Sequence, residues 1–360
     1  MEKEIFSIIG LMSGTSIDGV DAAWLETDGV SHVKPKGAFF VEYPDELRAQ
    51  IRAVFGKRER NADIERDITL FQSDVVKLAL KQWNAKPQEI DYIGFHGQTT
   101  FHDPANKLTV QLGDGALMSA QTGIKTIYDF RTADVMAGGQ GAPFLPLYHQ
   151  AVVRENKITK PVALLNIGGV ANVTWVGAEQ DNLLAFDTGP GNALMDDFMQ
   201  IKFNEKHDEN GTRARKGEAD EALLNKWLVH PYFNARPPKS LDRDAWDVLK
   251  DVMNIRAEDA LATLARYTVD SIVMASEWFP EEASAWYVTG GGRHNGYLMR
   301  KLEEALGVDV HAVEKLGFDG DALEAQGFAY LAARSVLKLP LSFPTTTGCP
   351  TPVTGGKLAA

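Results

Sequence analysis

One cysteine, Cys349, occurs in the 360 residues of this chain. A lone thiol excludes an internal disulfide and any cysteine-built zinc cluster, and it suits a reducing compartment. No apolar run approaches the roughly 18 residues of a membrane-spanning helix. The opening residues, MEKEIFSIIG, lack the long apolar core and cleavage site of a signal peptide. A cytoplasmic protein with no membrane partner is expected. There is no Lys/Arg block, and the formal net charge is −12. That balance excludes a general nucleic-acid binder, which needs a basic footprint, although backbone amides can still hold an anion locally. Several chemistry-bearing motifs are missing as well. There is no GxxxxGK[ST], no HExxH, no GxSxG, no HRD with DFG, and no GxGxxG after a first strand, which excludes the corresponding nucleotidases, proteases, hydrolases and kinases.

What is present is enough apolar content, 44%, for more than one core, so two domains are expected. The chain is organised around Gly10–Ala22, GLMSGTSIDGVDA, which follows the apolar run Ile5–Ile9 and precedes Ala22–Leu25. That pattern reads as strand, tight polar turn, strand. Small residues let backbone N–H groups approach an anion, and the hydroxyls of Ser13, Thr15 and Ser16 add donors between Gly10, Gly14 and Gly19. Asp18 suits a hydrated magnesium ion beside that anion. A Ser/Gly-rich hairpin with an Asp turn would explain the same composition. Val162–Val176, VALLNIGGVANVTWV, repeats the pattern, with Gly168 and Gly169 in the turn and Asn166 and Asn172 beside it. Two such units, each opening about half the chain, point to an internal duplication and a two-lobed nucleotide-binding fold.

Helical stripes follow at Leu47, Ile51, Val54 and Phe55, and at Ile64, Ile68, Phe71, Val75 and Leu78. Ile90–His96 reads as a strand. Polar residues just past its end, His96 among them, lie where open α/β sheets place ligands, though a structural histidine fits equally. Strands are also read at Leu108–Leu112 and Ile124–Asp129, with a helix over 114–122 between them. Phe130–Pro146 has no sustained helical period and reads as a polar Gly-rich loop at the domain boundary. Arg131 within it can clamp a phosphate or a carboxylate. Asp187 sits where the strand Leu183–Phe186 should end in a Gly/Pro turn; it either caps that turn or serves a site. The following helix presents Leu194, Phe198 and Ile201 to the core. Residues 204–217 read as a loop, and Pro231–Leu241 as a Pro-rich connection between helices over 218–229 and 256–279. Trp286–Thr289 feeds Gly290, Gly291 and Gly292, a turn suited to a nucleotide, and Asn295 can cap the helix that runs to Leu306. A last long helix, 321–337, carries Glu324 in its first turn, where helix-dipole pairing alone would explain it.

Taken jointly, the blocks GLMSGTSIDGVDA, GFHGQT (94–99), DFRTADVMAGGQGAP (129–143), LLNIGGVANVT (164–174), FDTGPGN (186–192) and TGGGRHN (289–295), with the C-terminal TTTG and TGG, resemble the anhydro-N-acetylmuramic acid kinases of bacterial cell-wall recycling. The resemblance implies a two-lobed actin-like (ribonuclease H-like) sugar-kinase α/β fold, each lobe a mixed five-stranded sheet with flanking helices. The lobes are expected at 1–132 and 133–339, with the tail, about 340–360, packing back on the first. It implies ATP and Mg2+ as cosubstrate and ion, with phosphates at residues 10–19 and 166–172 and adenosine at 290–295. It implies sugar contacts at His96, Gln98, Arg131, Gly189 and Asn192. Asp187 becomes the expected base that sends water to carbon 1 while oxygen 6 takes the γ-phosphoryl group, with Glu324 assisting; the metal is held by Asp18 through water. Hinge closure of the lobes and a homodimer are further expectations. A filament- or chaperone-type ATPase and a plain kinase of a free 6-hydroxyl remain open on the same blocks.

Overall fold

The computed structural model describes residues 4–179, 182–241 and 245–360. Their contacts divide the chain into two compact units, 1–157 with 321–360, and 158–320. The sequence placed the first boundary at 132/133 and kept residues 321–339 in the second lobe. The compact units instead divide after Lys157, and the chain rejoins the first unit at Asp321.

In the first unit, β1 (Phe6–Met12), β2 (Gly19–Thr27) and β3 (Val33–Glu42) form an antiparallel meander, followed by α1 (Asp45–Arg52) and α2 (Ala62–Gln82). Next come β4 (Tyr92–Phe95), the side hairpin β5 (Gln98–Asp103) and β6 (Leu108–Leu112), α3 (Gly115–Thr122) and β7 (Thr126–Tyr128). Asn61 caps α2 and Asp114 caps α3, each accepting from backbone N–H groups of the first turn. The residues read as an aperiodic loop contain α4 (Thr132–Ala137), which stops at Gly138 in a left-handed conformation, and α5 (Pro146–Glu155) follows them. α4 is too short for a period to show in the sequence, and α5 is buried along most of its length, so no polar face marks it.

In the second unit, β8 (Val162–Ile167), β9 (Val170–Val176) and β10 (Leu183–Pro190) form another antiparallel meander. Then come α6 (Ala193–Phe203), α7 (Glu221–Trp227), α8 (Leu249–Val252) and α9 (Ala257–Ser276). β11 (Ala285–Thr289), α10 (Gly296–Leu306) and β12 (Asp309–Ala312) finish it. The chain returns to the first unit with α11 (Leu323–Val336) and β13 (Lys357–Ala359).

The two main sheets share one topology. The first runs β13-β7-β4-β1-β2-β3 and the second β10-β9-β8-β11-β12. In each, three antiparallel strands are extended by two strands parallel to the first: β4 and β7 beside β1, β11 and β12 beside β8. This repeated order is the mixed α/β, actin-like class that the motifs implied, and it bears out the duplication. The first sheet has a sixth strand because the tail adds β13 antiparallel to β7.

The helical stripes bury as expected with two exceptions. α2 buries Ile68, Val75, Val76, Ala79 and Leu80, a stripe that leaves Leu78 to one side and 49% exposed. Ile201, in the last turn of α6, is 60% exposed, while Leu194 and Phe198 are buried. α11 packs on the first sheet with almost no separation. A Cβ at Gly10 would overlap the Ala325 carbonyl oxygen, and one at Gly94, its partner on β4, would overlap that of Phe328. A methyl group at either place must push helix backbone, not a flexible side chain. Gly10→Ala should therefore cost about 3 kcal/mol, the upper end for overpacking. Urea unfolding checks this; a loss under about 1 kcal/mol would show that α11 can shift away.

Candidate functional site

The loop between β1 and β2 does not present all its residues alike. Thr15, Ser16 and Asp18 are exposed, whereas Ser13 and Ile17 are buried. Ser13 Oγ donates to Gln98 Oε1 at 2.6 Å, and Gln98 Nε2 donates to the Gly14 carbonyl at 3.1 Å. Gln98, wholly buried, thus braces the loop from β5. Ile17 adopts φ of +58°, a left-handed conformation that costs a β-branched residue energy. A Cβ at Gly14 would meet only Ser16 Oγ, at an ordinary contact of 3.7 Å, but Gly10 faces α11 and Gly19 faces the Val41 carbonyl on β3, so packing accounts for those two.

Past β4, His96 and Arg131 come together. Arg131 Nε lies 3.1 Å from His96 Nε2 and can only donate, so that ring nitrogen carries the lone pair. His96 Nδ1 then holds the proton and donates to the Gly97 carbonyl at 3.0 Å. Burial, reinforced by the Arg131 charge, holds the His96 pKa well below the ordinary imidazole value. Arg131 Nη1 donates to the Gly141 carbonyl at 2.6 Å, and the guanidinium lies over the rings of Phe144 and Phe328, 5.4 and 5.8 Å from their centroids. Burial lowers the Arg131 pKa, opposed by the charges of Glu324 and Asp134. Burial raises that of Glu324, opposed by Arg131. Asp134, which the sequence did not single out as a site residue, anchors the segment: its carboxylate accepts from Gly141 N (2.7 Å), Ser342 Oγ (2.5 Å) and Thr347 Oγ1 (2.6 Å). In the first unit, then, His96, Arg131 and Glu324 form one group that α11 helps to build.

In the second unit the register places a polar row across the sheet. Asp187 on β10 pairs with Asn172 on β9, Asn172 with Asn166 on β8, and Asn166 with Thr289 on β11. Directly opposed residues share a face, so four side chains from distant parts of the chain line one edge. Thr289 was not expected there; the alternation that leads to it is visible in β11 only once the pairing is known. Three turns meet beside this row. The carbonyls of Gly168 and Gly169 accept from Asn192 N (2.7 Å) and Gly191 N (2.9 Å), and Asn192 Nδ2 donates to the Ile167 carbonyl at 3.1 Å. Gly290 has φ of +75° and lies against Asn166 and Ile167, where a side chain would not fit. Asn295 caps α10 through Tyr297 N and Leu298 N, as its position suggested, so its side-chain oxygen is already engaged. Gly189 packs on Ser271 and Phe233.

Asp187 lies inside β10, not past its end; the irregularity between 187 and 189 is a bulge in a strand that runs on to Pro190. Its Oδ2 accepts from Leu241 N at 2.8 Å, its own N–H donates to the Lys239 carbonyl at 3.0 Å, and the Tyr232 hydroxyl donates to its carbonyl at 2.7 Å. Burial raises the Asp187 pKa to about 7, with the Leu241 N–H opposing. A carboxylate so placed can exchange a proton near neutral pH. Tyr232 and Lys239 lie in the stretch that the sequence marked only as a Pro-rich connection, where Asn234, Arg236 and Ser240 leave neither of them distinguished.

Among the described residues no group of three or more His, Cys, Asp or Glu could hold a metal ion, and no helix is long and apolar enough to cross a membrane. The sequence pattern of the family described as anhydro-N-acetylmuramic acid kinase matches residues 6–359. The chain belongs to this family. It is 47% identical over 353 residues to an anhydro-N-acetylmuramic acid kinase of Rhodospirillum rubrum, covering 97% of this chain and 92% of that one. A second such kinase, of Paramagnetospirillum magneticum, is 45% identical over 354 residues, covering 97% and 98%. Among solved structures the chain is similar to a Schistosoma mansoni hexokinase complexed with glucose, with a TM-score of 0.47, 9% identity and coverage of 90% and 85%. The family makes this chain a phosphotransferase with an alcohol acceptor and an ATP-dependent kinase of murein recycling.

Neutral His96 has two measurable consequences. Its ring nitrogens should keep one protonated Nδ1 and one unprotonated Nε2 signal in 15N NMR from pH 8 to pH 6. Because the unfolded state takes up a proton at the ordinary imidazole pKa and the native state does not, His96 should also remove stability as pH falls through that value. A ring that titrates near 6.5 would break the assigned hydrogen-bond pattern.

Proposed function

We propose that the chain opens the 1,6-anhydro ring of 1,6-anhydro-N-acetylmuramic acid with water and phosphorylates oxygen 6, giving N-acetylmuramic acid 6-phosphate and ADP. Asp187 carries this reading: a partly buried carboxylate on a polar strand row, with desolvation raising its pKa to about 7. Water oxygen bonds to carbon 1, and the carbon 1–oxygen 6 bond breaks with its electron pair going to oxygen 6. That oxygen bonds the γ-phosphorus of ATP as the bond to ADP breaks. Asp187 takes one water proton; the other stays on the new hydroxyl. An inverting glycosidase needs a second carboxylic acid for the leaving oxygen, whereas here the phosphoryl group captures it.

His96, Arg131 and Glu324 are assigned to the sugar in this reading, with Gly189 and Asn192. His96 holds the guanidinium at Nε and Nη1 is tied to Gly141, which supports a fixed cation for a carboxylate or phosphate. Gln98 contributes by bracing Ser13 and Gly14. Backbone amides near Gly14, Gly168, Gly169 and Gly290–Gly292 are assigned to ATP. Exposed Asp18, beside the hydroxyls of Thr15 and Ser16, offers the hard oxygen donors that suit Mg2+ held through water. Bound there, the ion would neutralise charge on the phosphates. The same reading places the enzyme in the cytoplasm as a homodimer.

Asp187→Asn keeps the shape and the acceptor for Leu241 N but cannot take the proton. It should lose at least about 10²–10⁴-fold in kcat while still binding ATP and anhydro sugar. In the parent enzyme kcat should rise with pH through about 7, as Asp187 ionises. In oxygen-18 water the label should enter carbon 1 of the product. Label in phosphate, or a phosphorylated sugar with its ring intact, would sink the coupled reaction. Separately, Asp18→Asn should weaken magnesium-dependent turnover far more than it lowers the melting temperature; equal losses would make Asp18 a turn residue.

A further inference from the structure

We propose that Lys239 is a positioning residue for the reaction: its ammonium closes residues 231–241 into a strap that clamps Asp187. This rests on the reading of Asp187 as the base. The strap holds Asp187 at three points. The Tyr232 hydroxyl reaches its carbonyl, the Lys239 carbonyl accepts its N–H, and Leu241 N reaches its carboxylate. The two ends of the strap are joined by one side chain. Lys239 Nζ donates to the carbonyls of Tyr232 at 2.8 Å and Phe233 at 3.2 Å, and lies 4.5 Å from the centroid of the Tyr232 ring. The rings of Phe186 and Trp278 stand 5.8 and 6.0 Å away. Among the described residues no carboxylate pairs with this ammonium, so carbonyl dipoles and ring faces hold it instead. An irregular segment with two adjacent prolines makes few ladder bonds of its own. Without the cross-tie, its ends are free to part, and the Leu241 N–H that steadies the Asp187 carboxylate moves with them.

The strap can be felt only through Asp187's orientation and charge. Among the described residues of the strap, Tyr232 is the titratable group that touches Asp187 and feels its charge, while the Lys239 ammonium is turned to the Tyr232 and Phe233 carbonyls. β9 presents Asn172, and α9 presents Thr268 and Ser271 to the same turn, all uncharged. Losing a hydrogen bond to the charged form raises a carboxylate's pKa, so the strap's release has a definite sign.

The experiment compares Lys239→Met, Lys239→Arg and Asp187→Asn in the full chain with ATP and anhydro sugar. Lys239→Met should lower kcat about 10- to 100-fold, leave both KM values within about threefold, and move the acid limb of the kcat–pH profile to higher pH. Lys239→Arg, which restores a cation with several donors, should recover most of the rate and the parental limb. Unchanged kcat and limb in Lys239→Met, with Asp187→Asn inactive, would overturn the strap's part alone. A rise in sugar KM that accounts for the whole loss would overturn it too, by making Lys239 a substrate-binding residue. Full activity in Asp187→Asn would overturn the base reading itself. If Lys239→Met does not fold, Tyr232→Phe, which removes one clamp without changing charge, should still lower kcat at constant KM; a parental rate there would overturn the strap.

Discussion

The contact on which the first unit depends is backbone against backbone. α11 lies on β1 and β4 where Gly10 and Gly94 sit side by side in register, and no side chain separates helix from sheet. Such an approach maximises dispersion contacts and leaves no room for adjustment. It also fixes chemistry. The turn of α11 that meets the sheet carries Glu324 and Phe328, and Phe328 packs on His96 with ring centroids 4.4 Å apart. A helix far downstream, beginning at Leu323, thereby contributes to the electrostatics of Arg131, which feels the Glu324 charge.

The second unit reaches a similar end by register. Once β8, β9, β10 and β11 pair as they do, Asp187, Asn172, Asn166 and Thr289 must share a face. The position of Asp187 then raises its pKa, because burial disfavours the charged form and one backbone N–H only partly compensates. Ionising such a group at neutral pH costs native stability, since the unfolded chain ionises it at the ordinary carboxylate value. Of the three bonds between residues 231–241 and Asp187, only the one from Leu241 N reaches the carboxylate and offsets part of that cost.

The sequence by itself determined a good deal. Apolar runs broken by Gly/Ser turns at residues 10–22 and 162–176 marked the two hairpins, because a half-turn of backbone needs small residues whatever surrounds it. Asn295 before an amphipathic run marked a helix cap, and the joint pattern of blocks marked the family. Tertiary structure alone decided the rest. Gly10 and Gly19 look like phosphate-turn glycines in the sequence, yet helix and strand backbone occupy the space beside them. The compact units divide after Lys157 and at Asp321, because α11 and the tail fold back onto a sheet formed by the start of the chain, and no local signal encodes a contact over that separation. The tautomer of His96, the row that ends in Asp187 and the strap that holds it depend on which strands become neighbours. Periodicity reports which face of an element is buried; it does not report what lies against that face.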